Sequence, residues 1–160
     1  MSGLRTEYEF VLPRGYIDDG GSLHRRGVMR LATARDELEP LRDPTVNGPD
    51  DPRITILVLA RVVRTLGTME LVTSREIEGL FAADLAYLQD FYGIVNFGTQ
   101  DDIDALLEQQ RLDQQREQEQ ERARSAPIPA GGGSRSSDAP STERLVVRRA
   151  AVEEVPAGER

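Results

Sequence analysis

The sequence predicts an α+β fold: a small N-terminal β-hairpin or three-stranded sheet packed on about three helices, then a solvated helix and a disordered C-terminal tail. Three observations carry that expectation. Strand-type alternation occupies residues 8–31. Residues 73–95, T-S-R-E-I-E-G-L-F-A-A-D-L-A-Y-L-Q-D-F-Y-G-I-V, repeat apolar side chains at helical spacing, from Ile77, Leu80 and Phe81 through Leu85 and Leu88 to Phe91, Tyr92 and Val95. All eight aromatic residues, four Phe and four Tyr, fall before residue 99, so the bulky core material ends there. The implied plan is a small domain over 1–98, a charged helical extension over 99–125 and a disordered linker and tail over 126–160.

In chain order, residues 8–12, Y-E-F-V-L, alternate and are rich in strand formers. Pro13, Arg14 and Gly15 break the run, and Tyr16 and Ile17 resume it. Asp18-Asp19-Gly20-Gly21 reads as a tight turn, because glycine supplies positive φ and aspartate tolerates it. Residues 23–31, L-H-R-R-G-V-M-R-L, are the return strand, with Val28 and Arg30 on one face and Met29 and Leu31 on the other. Two or three strands cannot stand alone in water, so the following helices must cover them.

Thr33 can cap a short helix with Asp36 at its third position. Residues 42–53, with three prolines and one Asn-Gly, form a loop. Residues 54–66, I-T-I-L-V-L-A-R-V-V-R-T-L, are apolar on nearly every side; β-branching favours a strand, while length and Gly67 as a stop favour a helix, which is the expectation here. Such a helix must be buried on more than one face or meet a second chain. Thr73 with Glu76 has capping-box spacing and opens one long helix over 73–95, with Val72 placed to staple onto Ile77. That helix should supply most of the core. The sharper alternative leaves part of its stripe open for a partner.

Residues 101–124 are helix formers with almost no apolar face. Ile103, Leu106 and Leu107 make a brief stripe, and acids pair with arginine at i,i+3 (Glu108 with Arg111, Asp113 with Arg116, Glu119 with Arg122, Glu121 with Arg124), each contributing only ~0.2–0.5 kcal/mol. A solvated, fraying helix is expected, and the apolar a and d positions of a coiled coil are missing. Residues 126–142 have linker composition. Residues 144–155, R-L-V-V-R-R-A-A-V-E-E-V, are a sticky end of a kind that is usually disordered and in some proteins docks on a partner.

Composition excludes several function classes. The absence of cysteine removes disulfides, thiolate nucleophiles and cysteine metal sites. All 20 basic residues are arginine, which reads as the codon bias of a GC-rich genome. Residues 1–98 hold 15 acids against 11 arginines, and residues 99–160 hold 13 against 9, so both halves carry −4 of the net −8. That balance suits neither nucleic acid nor a membrane surface. No apolar run approaches the ~18 residues of a membrane span. The opening M-S-G-L-R-T-E lacks the apolar region of a signal peptide, so cytoplasmic synthesis is expected.

Catalytic, metal and cofactor sites are all expected to be absent. His24, the one histidine, reads as a surface hairpin residue. The Asp18-Asp19-Gly20 and Asp101-Asp102-Ile103-Asp104 clusters lack calcium-loop spacing. Asp84 reads as a buried acid with a structural partner among Arg30, Arg61 and Arg64.

Residues 12–44, opening L-P-R-G-Y-I-D-D-G-G-S-L-H-R-R-G-V-M-R-L-A-T-A-R-D, together with I-T-I-L-V-L-A-R-V-V at 54–63 and E-I-E-G-L-F-A-A-D-L-A-Y-L-Q-D-F-Y at 76–92, resemble phage tail assembly proteins of actinobacterial phage-like tails and contractile injection systems. The plan is similar to that of tail assembly chaperones: a small β element with a G-x-M-R-x-x-T signature, here Gly27, Met29, Arg30 and Thr33, then helices closing on L-x-x-x-D-L, here Leu80, Asp84 and Leu85. The likeness spans residues 8–96. It implies a non-enzymatic accessory protein that holds tape-measure or tube subunits until the tail polymerises. Val58, Val62, Phe81, Leu85, Leu88 and Tyr92 are the expected partner-binding residues, and a homo-oligomer is a further expectation. The competing expectation is a structural connector or baseplate adaptor retained in the particle.

Overall fold

Residues Glu7–Ile17 form a single strand, β1, that runs through the Pro13-Arg14-Gly15 sequence expected to end it. The structure, a computed structural model, describes residues 3–129. β1 pairs antiparallel with β2 (Leu23–Arg30), in register from Glu7 opposite Arg30 to Val11 opposite Arg26. Pairing resumes at Tyr16 opposite His24, so residues 12–15 form a bulge opposite the single Arg25. Gly15 makes this bend possible with φ +103°, a conformation that needs glycine. The break signal thus marks a bulge within one strand. At the hairpin tip, the Asp18 carboxylate accepts the Gly20 and Ser22 amides, both at 2.9 Å, as the turn reading anticipated.

The third strand comes from an unexpected place. Residues 54–66 divide into α2 (Arg53–Val62) and β3 (Val63–Leu66), which pairs antiparallel with β2 to give the sheet order β1-β2-β3. Both periodicity readings were partly right. Val63 turns extended (φ −74°, ψ 110°) while its N–H still closes the last turn of α2 on Leu59. Val63 and Leu66 are then buried in the core beside Met29. Gly67 stops the strand rather than the helix, with φ +58°.

The helix expected over 73–95 is also two helices. α3 (Ser74–Glu78) ends at Gly79, and α4 (Ala82–Phe97) begins after an extended Phe81 (φ −64°, ψ 151°), whose carbonyl accepts the Asp84 and Leu85 amides at 3.0 Å. α3 and α1 (Ala34–Leu38, continued by a 3-10 turn Glu39–Arg42) both start as their sequences predict: the carboxylates of Glu76 and Asp36 accept the N-cap amides of Thr73 and Thr33 at 2.7 and 2.8 Å. The same arrangement recurs at Thr99 and Asp102 (2.8 Å) and opens α5 (Gln100–Ser125).

The core lies between the sheet and α2, α3 and α4. Phe10 meets Phe91 edge to face, with centroids 5.8 Å apart, among Leu12, Met29, Leu59 and Leu88. Gly27 leaves room for the Phe10 ring; a Cβ there would lie 2.3 Å from Phe10 Cζ. α5 is solvated over most of its length but is tied to this body. Ile103 is buried, Gln110 donates to Tyr87 Oη (2.6 Å), and Arg25 pairs with Glu117 (3.0 Å). Of the anticipated i,i+3 pairs, Glu108 with Arg111 and Asp113 with Arg116 form. One compact unit, Met1–Ser125, contains all of these elements. The expected linker and tail follow it. From residue 130, including the sticky segment 144–155, they lie outside the described residues.

Candidate functional site

α1 and its 3-10 continuation run beside α2 and α4 without filling the space between them. The result is an open groove of about 560 Å³. Leu38 and Leu41 form one wall, Ile54, Val58 and Tyr92 the other, and Glu37 stands at the mouth. Leu38 and Leu41 are 56% and 45% exposed, unusually wet for leucines that face other apolar side chains. Loop residue Pro49 also lines the groove.

Each wall is held by polar contacts. Asp36, 2% exposed, receives both guanidinium nitrogens of Arg30 (2.7 and 2.9 Å) and Nε of Arg61 (3.1 Å). Arg30, first among the causes, holds this carboxyl well below the usual carboxylate range. The node ties β2, α1 and α2 together. Tyr92 donates its hydroxyl to Glu37 across the mouth at 2.8 Å. Burial, then the bond to Glu37, raises the phenol's pKa, so it stays a donor.

The six expected partner-binding residues do not share one surface. Val58 and Tyr92 line the groove. Leu88 and Val62 are sealed in the core at 1% and 0% exposure. Leu85 is half-buried against that core, and Phe81, 48% exposed, caps the far end of α4, about 16 Å from Tyr92 at 1.5 Å per residue. Leu38, Leu41 and Ile54 were missed. Their signal was present, since Leu38 and Leu41 are spaced i,i+3 around Glu39-Pro40, but the stronger stripe downstream outweighed it.

None of the motif residues lines the groove. Met29 is fully buried, Gly27 receives the Phe10 ring, and Thr33 and Arg30 converge on Asp36. Asp84 is fully buried, as expected, but its partner is not an arginine. Its two oxygens accept the backbone N–H groups of Arg14 (2.8 Å) and Gly15 (3.1 Å) in the β1 bulge. Arg30 and Arg61 serve Asp36 instead, and Arg64 lies 4.0 Å from Glu7.

His24 is another correction. It is 7% exposed, stacked near Tyr16, bonded to Asp18 Oδ2 (2.7 Å) and packed on Gly67. The glycine at 67 gives the ring its space. Among the described residues, no three His, Cys, Asp or Glu side chains gather in a way that could hold a metal ion, and no helix is long and apolar enough to cross a membrane. Neither a protein-family model, nor a curated protein, nor a solved structure matches this chain.

Proposed function

We propose that this chain is a non-enzymatic accessory protein of phage-like contractile tail assembly, one that binds tape-measure or tube subunits through apolar helical surface. The observation that carries the reading is the groove beside α2 and α4. It exposes Leu38 and Leu41 opposite Val58 and Tyr92, in walls fixed by a fully satisfied polar node. Rigid walls around an open apolar channel suit capture of another polypeptide, because the channel need not be ordered at the moment of binding. The motif resemblance in residues 8–96 supplies the biological setting.

Co-expression with tape-measure and tube proteins of a phage-like contractile tail tests the proposal. A stoichiometric complex that survives size-exclusion chromatography is expected, together with absence of the chain from purified particles by mass spectrometry. Presence of the chain in finished particles at fixed copy number would instead identify a structural connector or adaptor. Failure to associate with either protein would refute the tail-assembly reading.

A further inference from the structure

The groove's charge says what kind of segment it takes. The wall that carries Leu38 and Leu41 belongs to residues 36–51, a stretch with six acids and one arginine. Most of those acids are already engaged. Asp36 is neutralised by Arg30 and Arg61, Glu39 pairs with Arg42, and Asp43 and Asp51 hold turn amides. Glu37 is different. It stands exposed at the mouth and its recorded partner is a neutral phenol, Tyr92. Glu37 is the one charged side chain among the residues that line the groove; the other polar liners, Thr55, Gln89 and Tyr92, are neutral. The apolar floor therefore carries a single negative charge at its mouth. An acidic or neutral partner would meet like charge or no complement there, whereas a basic residue flanking an apolar stripe would pair with Glu37 beside low-dielectric walls.

The floor's shape narrows the class further. Ile54, Thr55, Val58 and Leu59 reach it from successive turns of α2, so its length matches two turns of a partner helix. Such a helix would lay its i, i+3, i+4 and i+7 side chains along the channel. Resting on the protein-binding reading above, we propose that the groove receives an amphipathic helical segment of another protein, its apolar side chains between Leu38 and Val58 and an arginine or lysine on its flank paired with Glu37.

Selection from a random 16-residue peptide library on the full chain, with counter-selection on L38E, tests this. Both groove variants change exposed residues, which keeps misfolding from mimicking lost binding, and circular dichroism of each checks it. The expected winners carry apolar residues at i, i+3, i+4 and i+7 and at least threefold more basic than acidic residues. A fluorescein-labelled winner should bind the wild type, lose at least tenfold in affinity to L38E, and lose about threefold to E37Q at low salt but not at high salt. Winners that bind L38E equally well, that are acidic, or that ignore E37Q overturn the inference, as does a library that yields no L38E-sensitive peptide. Sedimentation that shows a dimer dissolved by L38E also overturns it, because the occupant is then a second copy. If the tail-protein complex of the previous section forms with L38E as well as with wild type, the groove chemistry is wrong while the assembly role stands. If basic peptides bind the groove but neither tail protein does, the reverse holds.

Discussion

Replacement of Asp84 by asparagine tests the least expected contact in the fold. The native carboxylate divides its oxygens: Oδ1 accepts Arg14 N–H at 2.8 Å and Oδ2 accepts Gly15 N–H at 3.1 Å, in a site with no solvent exposure. The D84N amide offers one acceptor oxygen and turns an NH2 toward the other donor. One buried backbone N–H is then unsatisfied, which costs about 1–3 kcal/mol, and the surviving bond loses its charge assistance, about 1 kcal/mol more. The sum, about 2–4 kcal/mol, is a large part of the total stability of ~5–15 kcal/mol typical of such a domain. With a urea m-value of about 1.5 kcal/mol per molar, the midpoint should fall by about 1.3–2.7 M with m unchanged. Native-state hydrogen exchange supplies a local readout, in which the Arg14 and Gly15 amides lose protection even where the global transition still lies above them. A D84N midpoint within about 0.3 M of wild type, with those two amides exchanging at the wild-type rate, would refute the assignment of Asp84 as the anchor of the bulge.

Three further outcomes are expected. G27A should lose about 3 kcal/mol in urea titrations, because the new Cβ would lie 2.3 Å from Phe10 Cζ and 2.5 Å from the Thr65 carbonyl oxygen, and neither can retreat cheaply. G93A should gain about 0.5–1 kcal/mol: Gly93 lies inside α4, and a Cβ there meets nothing within 4 Å. For Asp36 the folded carboxyl titrates below its unfolded value, so its contribution is present above about pH 4, where the unfolded carboxylate ionises, and is lost as pH falls further. The urea midpoint should therefore drop between pH 5 and pH 3, and D36N, weaker at neutral pH, should show a smaller drop over that interval.

Features with a local physical cause were legible in the sequence. The threonine-x-x-acid starts at residues 33 and 73 were readable because both partners lie within one turn, and the 18–21 turn because aspartate and glycine are each required there. Boundaries decided by distant contacts were not. Residues 54–66 suit either periodicity, and only the vacant β2 edge selects a strand from Val63 onward. The break at Gly79 was hidden because Leu80 and Phe81 continue the apolar pattern in sequence while leaving the helix in space. Asp84 was placed in the core correctly, but a carboxylate's preference for backbone amides over three available arginines depends on where β1 bulges, and no residue letter records an N–H group. The groove was half legible. Val58 and Tyr92 stood out by hydrophobicity, whereas Leu38 and Leu41 acquired meaning only once α1 was set beside α2.

A three-stranded sheet has two rims at which a foreign chain could lodge its own backbone. Here the β1 rim is occupied where it bends, because Asp84 and Tyr87 accept the amides of Arg14, Gly15 and Val11. The β3 rim spans four residues and folds back at once, Leu66 bonding to Met69. Little ladder remains for templated fibre growth. Concentrated solutions of this protein should accordingly stay free of cross-β aggregates under native conditions, and weakening the Asp84 anchor should make them seed.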